Sequence, residues 1–233
     1  MVCNTSPAGG GFCYKYPHPA VTTDCVVFGF DGRALRVLLI RRGHAPFRDR
    51  WATPGGFLDP DEEATRGALR ELREETGLEG LAEVWELFSL SQPDRDPRER
   101  VISLVFMALT GLSAVRGGDD AAEARWFEAD ALPPLAFDHA DAVRRARVAL
   151  RRRSFLAPLG RGVLPAAFPP AEFAAFYAAV RGEAAVNAAE LTHWALAAGF
   201  VRRAAGEDGL LCFDDARYDA LCAAADSMDC RPL

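Results

Sequence analysis

No run of 18 or more apolar residues occurs in this 233-residue chain, which argues against a membrane-spanning helix. Positive charge is also short. Twenty-seven Lys and Arg face 33 Asp and Glu, and the net charge of −6 disfavours a protein that holds nucleic acid mainly by neutralising phosphates. The six cysteines, Cys3, Cys13, Cys25, Cys212, Cys222 and Cys230, never fall in Cys-x2-Cys spacing, so they read as reduced thiols and not as a zinc site. The first residues lack a basic segment followed by an apolar one, so no secretory leader is read and a cytoplasmic, non-membrane protein is expected. What is there is a chain with 50% apolar residues, long enough for one medium domain and a small appendage.

Residues 1–19, rich in Gly and Pro, read as a flexible lead-in, followed by a domain over 20–154 and a smaller one over 155–233. Ala20 to Phe30 and Leu35 to Ile40 are apolar runs about an Asp31-Gly32 turn, a hairpin pattern. Ala64, Ala68 and Leu72 at fourfold spacing predict a helix over 61–76, closed by Gly77. Strands are expected over 82–90, 101–109 and 124–127, and a basic helix over 139–153. Mixed strands and helices indicate a layered α/β domain. Beyond it, Phe173, Phe176, Tyr177 and Val180 predict one helix, and Asn187 to Ala198 a second that Asn187 caps. Apolar runs on either side of Gly206-Glu-Asp-Gly209 then predict a hairpin, and the whole reads as a winged helix-turn-helix.

The chemistry gathers on the first helix, in Gly56-x5-Glu62-x7-Arg70-Glu71-Leu72-x-Glu74-Glu75-x-Gly77-Leu78. Glu71, Glu74 and Glu75 stand at i, i+3 and i+4 and are expected to project from one face, opposite the Ala64, Ala68, Leu72 stripe. Three clustered carboxylates repel one another, by about 4 kcal/mol per pair at 4 Å and an effective dielectric of 20, unless a cation sits among them. Hard divalent cations accept such oxygens.

This constellation resembles the Nudix box at every defined position, and the chain is identified as similar to the Nudix hydrolases. The resemblance implies an α/β/α sandwich with a mixed sheet, in which Glu71, Glu74, Glu75 and the Gly56 carbonyl hold Mg²⁺, with Mn²⁺ as a substitute. It also implies that Arg70 orients the glutamates, and it leaves Glu62 as an outer ligand or a helix cap. The general base comes either from the box itself, at Glu71 or Glu75, or from a later loop. Glu123 and Asp120 are the loop candidates, with solvated turn residues as the alternative.

Arg42, Arg48, Arg95 and Asp96 are candidate substrate contacts, guanidinium forks for phosphate and a carboxylate for ribose hydroxyls, and Phe47 is a candidate for stacking on a base. His44, His139 and His193 show no spacing that suggests catalysis or metal binding. Tyr16-x-Pro-x-Pro-Ala-Val-Thr, Asp94-Arg-Asp-Pro-Arg, Ala136-Phe-Asp-His139 and the C-terminal region resemble one Nudix subfamily. It unites ADP-ribose hydrolases with ADP-ribose-sensing transcriptional regulators of NAD metabolism, and its members are commonly dimers. A pyrophosphohydrolase acting on ADP-ribose is therefore expected, with a DNA-binding regulator as the alternative. The second C-terminal helix carries no basic residue, which counts against DNA binding.

Overall fold

The computed structural model describes residues 2–5, 11–81, 83–118, 121–206 and 209–229. Strands β1 (Val2–Thr5) and β2 (Gly11–Tyr14) form a two-stranded antiparallel ribbon within the segment read as a flexible lead-in. The main sheet then takes β3 (Ala20–Phe30), β4 (Leu35–Arg42), β5 (Trp51–Ala52), β6 (Gly55–Phe57), β7 (Val84–Leu90), β8 (Val101–Leu109) and β9 (Ala121–Glu128). Its order is β5-β4-β3-β8-β7, with β6 paired to β3 and β9 to β4. The β3–β4 connection is fixed by Asp31, whose Oδ1 accepts hydrogen bonds from the Arg33 and Ala34 amides, while Gly32 takes the left-handed conformation at φ 89°.

Helix α1 (Ala64–Thr76) ends where Gly77, at φ 72°, donates its N–H to the Arg73 carbonyl. Ala68 and Leu72 of α1 join Cys25 and Val27 of β3 and Leu38 and Ile40 of β4 in one buried cluster. The alternate β3 residues Val26 and Phe28 are equally buried, so both faces of this strand are covered, as in a layered α/β fold. Helix α2 (His139–Leu156) follows.

Then come α3 (Pro170–Arg181), α4 (Ala188–Ala198), the hairpin β10 (Val201–Arg203) with β11 (Leu211–Phe213), and α5 (Asp215–Asp229). The expected helix–helix–hairpin order is present, and α5 is an addition that sequence did not foresee. The Asn187 side chain caps α4, accepting from the Ala189 and Glu190 amides at 3.0 and 3.3 Å. The chain forms two compact units. One comprises Met1–Phe28, Val37–Ala108 and Ser113–Arg144, the other Gly29–Arg36, Leu109–Leu112 and Arg145–Leu233. The second is built around aromatic rings: Phe173 meets Tyr177 edge to face at 5.0 Å, and Phe213 meets Tyr218 at 5.4 Å.

Candidate active site

In the first unit a cavity of about 460 Å³ opens between the first half of β3, the turn before β6 and one side of α1. It is lined by the acidic group Glu71, Glu74 and Glu75 with Arg70, and by Arg42, Arg98, Phe57 and Phe137.

The acidic group comes from helix geometry. At 3.6 residues per turn, Glu71 and Glu75 lie within about 20° of Ala64 and so share the edge of the buried stripe, not its opposite side. That corrects the sequence expectation, and Glu75 is accordingly buried. Its Oε2 accepts the Gly55 N–H at 2.9 Å. Burial pushes the Glu75 carboxyl up to about 8, the Glu71 and Asp24 charges adding to the rise. Burial likewise raises Glu71.

Arg70 is the counter-charge. Its Nε and Nη2 donate to the two oxygens of Glu62, both at 3.0 Å, and its Nη1 to Glu71 at 2.8 Å and Glu74 at 3.3 Å. Nη2 also reaches the Phe57 carbonyl at 3.1 Å. The fork on Glu62 holds that carboxyl below its usual range, and the same bond, with those to Glu71, raises the guanidinium well above its own. Glu62 is thus the anchor of Arg70.

The glycines before α1 are required by close approach. A side chain on Gly56 would enter the Glu71 carboxylate, and one on Gly55 would strike the Thr23 carbonyl and Asp24 Oδ1. Antiparallel pairing of β6 with β3, Gly55 opposite Asp24 and Gly56 opposite Thr23, makes this contact.

These residues suit a hard divalent cation. The donors are carboxylate oxygens beside a glycine backbone, and a guanidinium already bridges Glu71 and Glu74 as a stand-in positive charge. The three glutamates do not converge unaided, since Glu71 and Glu74 turn to Arg70 and Glu75 to Gly55. Among the described residues no group of three His, Cys, Asp or Glu side chains is gathered as a ligand set.

Of the expected substrate contacts, Arg42, Arg95 and Asp96 line the cavity, whereas Phe47 and Arg48 do not. Arg42 donates to the Pro46 carbonyl at 2.9 Å and lies 4.9 Å from the Phe137 ring centre. Burial, with the Arg98 charge nearby, lowers its pKa, so an anion would be welcome there. Arg95, only 4% exposed, is committed to Asp138 by two bonds of 3.0 and 2.7 Å and is a brace in the wall, not a free fork. Asp96 is likewise occupied by Arg98, at 2.7 and 3.0 Å; burial would raise the carboxyl, but those bonds outweigh it and hold it low. Phe47 packs edge to face on Phe137 at 4.8 Å, and Arg48 donates to the Gly43 carbonyl.

Glu123 lies on β9 and not in a loop. It pairs with Arg125 and, at 3.9 Å, with Arg41, and it does not line the cavity. Asp120 lies outside the described residues.

Sequence reasoning missed Asp24, Phe57, Arg98, Phe137 and His139, which all line the cavity. Asp24 accepts a hydrogen bond from the Ser103 hydroxyl, and Arg98 stacks 5.3 Å over Phe57. An acid inside the otherwise apolar run of β3 was the available signal for Asp24.

The Nudix domain profile matches residues 18–146. An ADP-ribose pyrophosphatase of Methanocaldococcus jannaschii is 43% identical over 125 residues, covering 53% of this chain and 70% of that protein. The ADPR responsive transcriptional repressor NtrR of Acinetobacter baylyi is 30% identical over 172 residues, 72% of this chain and 68% of that protein. The crystal structure of Shewanella oneidensis NrtR aligns with a TM-score of 0.73 at 25% identity, covering 85% of this chain and 95% of that one. With Gly56, Arg70, Glu71, Glu74 and Glu75 of the box lining one cavity and the profile matched across more than half of its length, the chain belongs to the Nudix hydrolase family.

Proposed function

We propose that the cavity hydrolyses a nucleoside diphosphate linked to a second moiety, and that the substrate is ADP-ribose, split into AMP and ribose 5-phosphate. The observation that carries this reading is the Arg70-bridged glutamate cluster pressed against Gly56 inside a cavity that Arg42 also lines. Similarity to an ADP-ribose pyrophosphatase supports the substrate.

In this proposal Glu71, Glu74, Glu75 and the Gly56 carbonyl hold Mg²⁺, or Mn²⁺ in its place. When bound, such a cation neutralises diphosphate charge and activates water for attack on phosphorus. Arg70 holds Glu71 and Glu74 in place through its hydrogen bonds, and Arg42 binds the diphosphate. The base is assigned to the α1 glutamates, because Glu123 is engaged with Arg41 and Arg125, while Asp120, the other loop candidate, lies outside the described residues. The test is a panel of ADP-ribose, NADH, nucleotide sugars, dinucleoside polyphosphates and 8-oxo nucleotides with Mg²⁺, with Mn²⁺ and with a chelator. Metal-dependent release of AMP from ADP-ribose is expected. Intact ADP-ribose beside cleavage of another diphosphate would overturn the substrate.

A second reading is a regulator that senses ADP-ribose and binds DNA through the C-terminal winged helix. It is favoured by similarity to a repressor that runs over 172 residues, beyond the Nudix span. Against it, the exposed residues of α4 are Ala189, Glu190, His193, Trp194 and Ala197, with no Lys or Arg to meet phosphate. Binding at roughly 10⁻⁸ M or tighter to NAD-metabolism promoter DNA, released by ADP-ribose and combined with inactivity on the panel, would favour this reading.

A further inference from the structure

Asp24 is an acid buried in the middle of a sheet, and a buried carboxylate is costly unless the surroundings are arranged for it. Ser103 on β8 donates to its Oδ2, and the Arg95 Nη2 stands 3.8 Å away while its fork stays on Asp138. The other oxygen, Oδ1, faces the His139 Nε2 at 3.8 Å. On the far side of the same ring, Nδ1 receives the Thr53 backbone N–H at 3.1 Å and lies 2.8 Å from the Thr53 hydroxyl. A backbone amide only donates, so Nδ1 presents its lone pair and a neutral ring carries its proton on Nε2, directed at Asp24. Burial pulls the imidazole below its ordinary value, in keeping with that neutral tautomer.

Thr53 opens the turn between β5 and β6, which leads directly into Gly55 and Gly56. Its amide is held by His139, the next carbonyl, of Pro54, accepts the Cys25 N–H at 2.8 Å, and Gly55 lies against Asp24 with no room for a side chain. The same turn then delivers the Gly55 N–H to Glu75 and sets Gly56 on Glu71. We propose that His139 is a positioning residue for the hydrolytic site: packed 3.8 Å from Asp24 and accepting the Thr53 amide, it locks the Thr53–Gly56 segment in the register that aims Glu71 and Glu75. This rests on the hydrolase reading for its effect on rate, but not for its effect on the turn.

The test compares His139→Leu, which fills the space without an acceptor, with His139→Asn, whose carbonyl can still accept the Thr53 N–H. Four quantities are read: kcat and KM for ADP-ribose, Mn²⁺ affinity by calorimetry, and hydrogen exchange at the Gly55 amide. The leucine variant is expected to lose about 10- to 100-fold in kcat or in Mn²⁺ affinity with KM changed less than about threefold, and to exchange the Gly55 amide faster. The asparagine variant is expected to recover most of each loss. Equal losses in the two variants, or a loss confined to KM, would overturn the proposal. If wild-type protein hydrolyses nothing on the panel, the hydrolase reading fails, while Mn²⁺ affinity and Gly55 exchange still decide the brace. Should the leucine variant not fold, the asparagine variant decides alone: wild-type Gly55 protection with kcat or Mn²⁺ affinity retained supports the brace, and wild-type protection with both lost overturns it.

Discussion

The two units of the chain treat polarity in opposite ways. The first buries Asp24, Glu75, Asp96, His139 and Ser103 around or beneath its cavity, whereas in the second, among the described residues, Ser154 is the buried polar side chain apart from tyrosines. The second fills its interior with Phe168, Phe173, Phe176, Tyr177 and Phe200. Burying ionisable groups opposes folding, and ring packing promotes it. The difference teaches that the first unit gives up stability for chemistry, while the second has a core dedicated to holding its own shape.

The sharpest way to break this comparison is to damage each unit where it invests most. Phe173→Ala removes a fully buried ring and is expected to cost the second unit about 3–5 kcal/mol in a denaturant titration, with kcat of the folded protein unaltered. A fall in kcat with stability retained would reverse the assignment. Glu75→Gln should do the opposite: kcat on ADP-ribose falls by about 10²–10³-fold or more, while thermal stability holds or rises. Wild-type turnover in this variant at saturating Mg²⁺ would remove Glu75 from the cation site.

A pH series sharpens the contrast within the first unit. In cation-free protein the Glu75 carboxyl is raised to about 8 from an ordinary 4.5, so the folded state holds a proton that the unfolded chain has lost. That contribution is complete below pH 4.5 and disappears as pH rises through about 8, with a slope of up to about 1.4 kcal/mol per pH unit. Comparing wild type with Glu75→Gln by melting across this range isolates it; parallel curves would contradict the burial. His139 acts in the other direction. Its lowered pKa gives stability that is present above the ordinary imidazole value of 6.5 and is lost as pH falls below it, a trend that His139→Asn should abolish. The smallest effect belongs to Asn187→Ala, which removes the cap of α4 and should cost about 1 kcal/mol of stability without touching hydrolysis.

Sequence revealed what lies along one element and hid what lies across several. The α1 glutamates, Arg70 and Gly77 are fixed by spacing on a single helix. The orientation of Glu71 and Glu75 was also computable from the helical angle, yet the eye groups the acids apart from the apolar stripe that they border. Asp24 and His139, 115 positions apart, meet only because β3 runs through the centre of the sheet and α2 begins beside the turn. No periodicity records such a meeting. The candidate arginines look alike as letters, and only the fold shows that Arg95 is bound to Asp138 while Arg42 lines the cavity. Phe47 and Phe57 are equally plausible stacking residues by type, but the strand carrying Phe57 enters the cavity wall.

Arg70 has a further consequence for how the cleft meets its ions. Tethered to Glu62 by two bonds, its guanidinium also sits between Glu71 and Glu74. Under the proposed cation binding, an incoming ion would exchange with a guanidinium already paired to these carboxylates, so the free energy of loading would be a difference between two pairings, smaller than three bare carboxylates would give, while Arg70 would stay held by Glu62. Such a site would fill and empty with the ambient concentration of the ion, as an exchanger does and a trap does not.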